Sequence, residues 1–165
     1  YNNDISKVLL SIKAIDINNL KEIEINREDI KFLYRGTDLS ENLIIISAKL
    51  KGLIGNKADI EKKQSDLIER KKLSQPSQIK TCGSTFKNPE GNKAWKLIAD
   101  SGCAGITVGD ACISKKHCNF FINKGNAKSK DLEDLINKVK RKVFNKTGIN
   151  LELELHIIGE SLWKN

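Results

Sequence analysis

The residues with the widest chemical range in this 165-residue chain lie in "TCGSTFKNPEG", residues 81–91. A thiol (Cys82) and a hydroxyl (Ser84) flank Gly83, and an aromatic ring, a cation and an amide (Asn88) follow. A hydrolase nucleophile elbow requires G-x-S-x-G, but Cys82 and Phe86 hold the outer positions, so that chemistry is excluded. Two readings of Ser84 stay open: a turn residue whose hydroxyl bonds local backbone, or a reactive hydroxyl. Cys82 is either a nucleophile without a nearby sequence partner or a packing residue.

Charged candidates stand elsewhere. Arg35, in "FLYRGT", offers a fork of donors that suits a carboxylate or phosphate, and equally suits a surface ion pair. In "LELELHII", Glu152, Glu154 and His156 recur at two-residue spacing, so a strand would place them on one face, lining a cleft or facing solvent. Arg70-Lys71-Lys72 complements a helix C-terminus and is also a phosphate-binding candidate.

No metal site is expected. The four cysteines (82, 103, 112 and 118) form no C-x-x-C pair, and only His117 and His156 stand beside them. They read as reduced thiols of a cytoplasmic protein. Glycines 102, 105 and 109 make neither G-x-G-x-x-G nor a P-loop. The net charge of +8 is spread over every segment and aromatics make up 5%, so the pattern reads as a solvated basic surface and no nucleic-acid partner is expected. The run Leu43-Ile44-Ile45-Ile46 is far too short to span a bilayer. The chain has no Met, and Tyr1 is expected not to be the natural start.

The elements that must position these groups follow from periodicity. "KVLLSIKAID", "LKEIEI" and "NLIIISAKLKG" read as strands, the last buried or half-buried, with a short helical turn capped by Asn26 between the second and third. Residues 58–73 take a helical pattern with Ile60, Leu67 and Ile68 on one side, broken near Pro76. Asn92 is expected to open a short helix stopped at Gly102, and "CNFFINK" to form a strand. A long helix capped by Ser129 carries the stripe Leu132, Leu135, Ile136, Val139, Val143 and ends at Gly148. "LELELHII" alternates strictly and predicts a final strand.

In order, "FLYRGT" (32–37), "QPSQIKTCGSTFKNPEG" (75–91), "KLIADSGCAG" (96–105), "VGDACISKKHCNFFINKGNAKSKDLEDLI" (108–136) and "GINLELELHIIGE" (148–160) resemble the UDP-N-acetylenolpyruvoylglucosamine reductases (UDP-N-acetylmuramate dehydrogenases, MurB) of bacterial cell-wall synthesis. The resemblance implies an α+β fold: residues 1–68 as the C-terminal part of an FAD-binding domain, and 69–165 as a small α/β substrate-binding domain with a returning C-terminal strand. It further implies that NADPH reduces FAD, and that hydride then passes to UDP-N-acetylglucosamine enolpyruvate, giving UDP-N-acetylmuramate. By position, Ser84 matches the family's proton donor, Arg35 the arginine that engages the enolpyruvyl carboxylate, and Glu154 the glutamate that works with it. Tyr34, Lys72, Asn88 and His117 fall to substrate binding.

The family's glycine-rich G-S-N loop has no counterpart here, so the main FAD contacts are expected to be missing. Alone, the chain is expected to bind little FAD and to turn nothing over, unless it assembles with an N-terminal FAD-binding half. A second reading is a non-catalytic remnant or UDP-sugar-binding module. Asp110 stands where the family has a glycine, Thr37 replaces a commoner serine, and Ala104 replaces a basic residue. If the backbone at 110 requires positive φ, Asp is costlier there than Gly.

Overall fold

The computed structural model describes residues 3–159, so Tyr1 and Glu160 lie outside the described residues. The chain divides into two compact units, Tyr1–Ile60 and Glu61–Asn165.

Unit 1 is an antiparallel three-stranded sheet. Strand β1 (Leu9–Asp16) lies between β2 (Lys21–Asn26) and β5 (Leu43–Leu50). Leu9, Ile12 and Ala14 of β1 are buried while Leu10 is exposed, and Leu9, Ile12 and Ile30 form a small buried cluster. Arg27–Asp29 is the expected helical turn, of 3-10 type; Asn26 holds the cap position but its side chain makes no capping hydrogen bond. A minimal hairpin, β3 (Phe32–Leu33) with β4 (Gly36–Thr37), is closed by Tyr34 and Arg35.

Strand β5 differs from expectation. Rather than being buried on one or both faces, the strand exposes Ile44, Ile45 and Ile46 alike, because no described element of unit 1 covers it. Helix α1 (Lys57–Ser74) forms where the periodicity predicted it, yet it buries no residue; Ile60 and Ile68 are exposed.

Unit 2 closes its own core. Its sheet has the order β6 (Lys80–Ser84), β9 (Phe120–Asn123), β8 (Ala111–Ile113), β7 (Thr107–Val108). The 19-residue helix α3 (Ser129–Thr147) contributes Leu135, Ile136, Val139 and Val143 to a cluster with Phe86, Ile98, Ile113, Phe121 and Leu151. Helix α3 stops at Gly148, whose φ of 72° is the left-handed conformation that ends helices. Ser129 is not its cap: it is the first helical residue, and its hydroxyl donates to Glu133 (3.2 Å). The Asp131 carboxylate instead accepts the Lys128 N–H (2.9 Å). Helix α2 (Ala94–Asp100) ends before Gly102 as expected, but Asn92 does not open it. The Ala94 N–H is capped from outside by the Asn88 side chain (3.0 Å).

The predicted final strand is also corrected. Residues 151–158 make one isolated bridge, Leu153 opposite Phe86, flanked by two backbone hydrogen bonds. The available partner segment is short, ending at Pro89, which has no N–H to offer. The alternation fails accordingly: Leu151 is buried, Glu154 is half-buried, and Ile157 and Ile158 are exposed.

Candidate active site

Ser84 ends β6, and the local backbone explains the glycine before it. Thr81 faces Ile122 and Ser84 faces Phe120, so β6 carries one residue more than β9 across this interval. The extra residue makes a bulge, accommodated by Gly83 at φ 85°. Bulges re-aim the side chain beside them, and here that side chain is Ser84. It is half-buried, and its hydroxyl engages no hydrogen-bond partner among the described residues. The local backbone bond of an ordinary turn serine is therefore absent.

Glu154 is brought to the same place. Its N–H donates to the Thr85 carbonyl (2.9 Å), and Lys87 N–H donates to the Glu152 carbonyl (2.9 Å). The bridge thus sets Glu154 opposite Thr85, next in sequence to Ser84. Asn88 lies just beyond, with Oδ1 committed to the start of α2.

His117 sits in the turn before β9, edge-on to Phe120 (4.7 Å between centroids) and tilted against Trp95 (6.3 Å). Burial pushes its pKa below the usual 6.5, and its buried Nδ1 has no hydrogen-bond partner among the described residues. Lys72 is in the exposed last turn of α1, and its carbonyl accepts a hydrogen bond from Lys116 Nζ. His117, too, is held by backbone: its N–H donates to Ser114 Oγ (3.2 Å) and its carbonyl accepts from Phe120.

Tyr34 and Arg35 belong to unit 1. Arg35 adopts φ 61°, a left-handed backbone unusual for a non-glycine residue, and its guanidinium lies 5.2 Å from the Tyr34 ring centroid. Such conformations recur at functional sites because the surrounding fold has to enforce them.

A cavity of about 450 Å³ opens on the α3 side of β6, lined by Cys82, Thr85, Phe121, Leu132, Ile136 and Leu155 among others. Neither Ser84 nor Glu154 lines it. Cys82 is the exposed thiol of the four; Cys103 and Cys118 are buried, and burial raises the pKa of both.

Asp110 does not need the left-handed conformation, which falls on Gly109 (φ 52°) instead. The Asp110 carboxylate accepts the Asn126 N–H (3.0 Å), so the acidic side chain anchors the loop before α3. Among the described residues of unit 1 the buried polar side chain, Ser11, donates to Glu24 (2.7 Å). No group of three or more metal-ligating side chains occurs among the described residues, and no described helix is long and apolar enough to cross a membrane.

Unit 2 is thus an antiparallel sheet packed by α3, with Ser84 at the end of β6 and Glu154 paired to the residue after it. Residues 75–158 match the sequence model described as "UDP-N-acetylenolpyruvoylglucosamine reductase, C-terminal domain". The chain belongs to that family. It is 43% identical over 159 residues to the UDP-N-acetylenolpyruvoylglucosamine reductase of Wolbachia sp. subsp. Drosophila simulans, covering 96% of this chain and 54% of that protein. The Pelagibacter ubique protein of the same name is 47% identical over 161 residues, covering 96% and 53%. The crystal structure of UDP-N-acetylenolpyruvylglucosamine reductase from Thermus caldophilus superposes with a TM-score of 0.78 at 31% identity, over 92% of this chain and 53% of that one. The chain therefore spans about half the length of the relatives it matches.

Asn119 was not singled out from sequence, because the groups it bonds are 33 positions away. No local pattern signals such a contact.

Proposed function

We propose that the protein carrying this chain reduces the enolpyruvyl double bond of UDP-N-acetylglucosamine enolpyruvate to UDP-N-acetylmuramate, a cytoplasmic step toward peptidoglycan. Family membership supports the reaction, and the Ser84 hydroxyl, re-aimed by the bulge beside Glu154, is the observation that carries it. In this reading residues 69–165 bind the substrate and residues 1–68 belong with a flavin-binding half. FAD, reduced by NADPH, supplies hydride from that half. The exposed isoleucines of β5 are covered by it, since contiguous exposed apolar surface marks an interface.

The residues of this chain supply the rest. Hydride addition to one alkene carbon leaves negative charge on the carbon beside the carboxylate, delocalised as an enolate. Arg35, always protonated, engages that carboxylate and stabilises the charge as it develops. Ser84 Oγ then gives its proton to the carbon, so hydride and proton add across the double bond. A hydroxyl is a weak acid, and it serves only against a strongly basic enolate. Glu154, in its protonated form, supports the transfer and returns a proton to the serine. Tyr34, Lys72, Asn88 and His117 contact the uridine diphosphate and sugar.

The test is substrate-dependent NADPH oxidation by the complete protein, with Ser84→Ala and Glu154→Gln compared. Both variants should lose most turnover while still binding substrate. Full turnover by Ser84→Ala would contradict the assignment. The 165-residue chain purified alone should retain no stoichiometric flavin.

A further inference from the structure

We propose that Asn119 is the positioning residue of the site; the inference rests on the reading of Ser84 as proton donor. Asn119 is buried in unit 2 immediately before β9. Its side chain meets Phe86 as a neighbouring strand would. The Phe86 N–H donates to Asn119 Oδ1 (2.9 Å), and Asn119 Nδ2 donates to the Phe86 carbonyl (2.8 Å). The Asn119 carbonyl also accepts the Thr85 N–H (2.8 Å). One residue therefore makes three hydrogen bonds to the two residues that follow Ser84.

The C-terminal segment pairs with the other side of the same stretch, through the Thr85 carbonyl and the Lys87 N–H. Thr85 receives Glu154 through its carbonyl and reaches Asn119 through its N–H, while Phe86 bridges Leu153. The stretch 84–86 is thus the centre of a ladder whose outer rails are Asn119 and residues 152–154. A side chain is needed on one rail because the chain turns at His117, whose carbonyl takes the Phe120 N–H. An asparagine amide offers one acceptor and a donor in place of the missing peptide group. Asp lacks the donor, and an apolar residue leaves both Phe86 groups buried and unbonded.

The consequence for chemistry is geometric. Ser84 sits between a bulge, which would otherwise give it latitude, and the clamped residues Thr85 and Phe86. The clamp fixes where Oγ lies, and through Thr85 it fixes where Glu154 lies. Misplacement by about 1 Å can cost roughly 100-fold in rate. Reduction of the flavin by NADPH uses neither side chain, so loss of the clamp should act on one half-reaction only.

The test uses the complete reductase, this chain together with its flavin-binding half, with Ser84→Ala as reference. In Asn119→Asp and Asn119→Ala, reoxidation of the reduced flavin by UDP-N-acetylglucosamine enolpyruvate should fall about 10- to 100-fold. Reduction by NADPH should be unchanged, and kcat should fall by more than KM moves. Unchanged reoxidation in a folded variant, or equal loss of both half-reactions, overturns the inference. If Ser84→Ala slows reoxidation while the Asn119 variants do not, only the positioning role fails. If Ser84→Ala is itself without effect, the reading of Ser84 fails and takes this inference with it. Should both Asn119 variants fail to fold, amide hydrogen exchange of the unsubstituted protein decides. Joint protection of the Thr85, Phe86 and Glu154 amides supports the clamp, and free exchange at Phe86 overturns it.

Discussion

Units 1 and 2 draw on similar apolar residues and bury them to different extents. In unit 2, α3 covers the sheet, and a cluster running from Phe86 to Leu151 excludes water. In unit 1 the buried cluster is Leu9, Ile12 and Ile30, while Ile44, Ile45, Ile46 and Leu50 stand about half exposed. The difference is one covering layer. The serine and glutamate therefore rest on a unit that supplies its own rigidity. The Arg35 hairpin is carried by a unit whose sheet still presents apolar surface.

The sharpest way to break this comparison is to truncate matched residues. Leu135→Ala removes a fully buried side chain from unit 2 and should cost about 2–5 kcal/mol in denaturant unfolding. Ile45→Ala on β5 should cost under about 1 kcal/mol in this chain, because that side chain is already more than half exposed. Equal costs would mean that β5 is covered in solution.

The bulge provides a smaller effect. Gly83→Ala meets no atom within 4 Å, so its cost is backbone strain at φ 85°, about 1–2 kcal/mol. Thermal unfolding measures it, and a neutral substitution would show that the bulge relaxes.

His117 adds a pH dependence that belongs to unit 2. Burial lowers its folded pKa below 6.5, so below that pH the unfolded chain takes up a proton that the folded one resists. Stability should be flat above 6.5 with respect to this group and decline as pH falls, and His117→Phe should remove that component. Smallest of all should be the exposed pairs Lys13–Glu22 in unit 1 (3.0 Å) and Lys130–Asp134 in unit 2 (3.4 Å), whose coupling in a double-mutant cycle should fall below every effect above because solvent screens them.

Periodicity made α3 legible, because its stripe and Gly148 both act within one helix. The short strands β7 and β8 and the bulged β6 were not legible, since two to five residues carry too little pattern. "LELELHII" alternates as a strand should, but pairing depends on a partner, and residues 85–87 between bulge and proline supply one bridge. The apolar run of β5 predicted burial that the described residues do not provide, since sequence records what a whole protein buries. Ser84 and Glu154 could be picked out through motif order, and the backbone sets Glu154 opposite Thr85, the residue after Ser84. The engaged amide of Asn88 and the left-handed Arg35 backbone depend on partners or geometry that residue types do not encode.

The most direct test of the central claim is single-turnover reoxidation of the reduced flavin by UDP-N-acetylglucosamine enolpyruvate in Ser84→Ala of the complete reductase. Loss of a positioned general acid should slow that step by about 100- to 10,000-fold, with the rate of reduction by NADPH unchanged. Reoxidation at the unsubstituted rate would show that Ser84 does not deliver the proton.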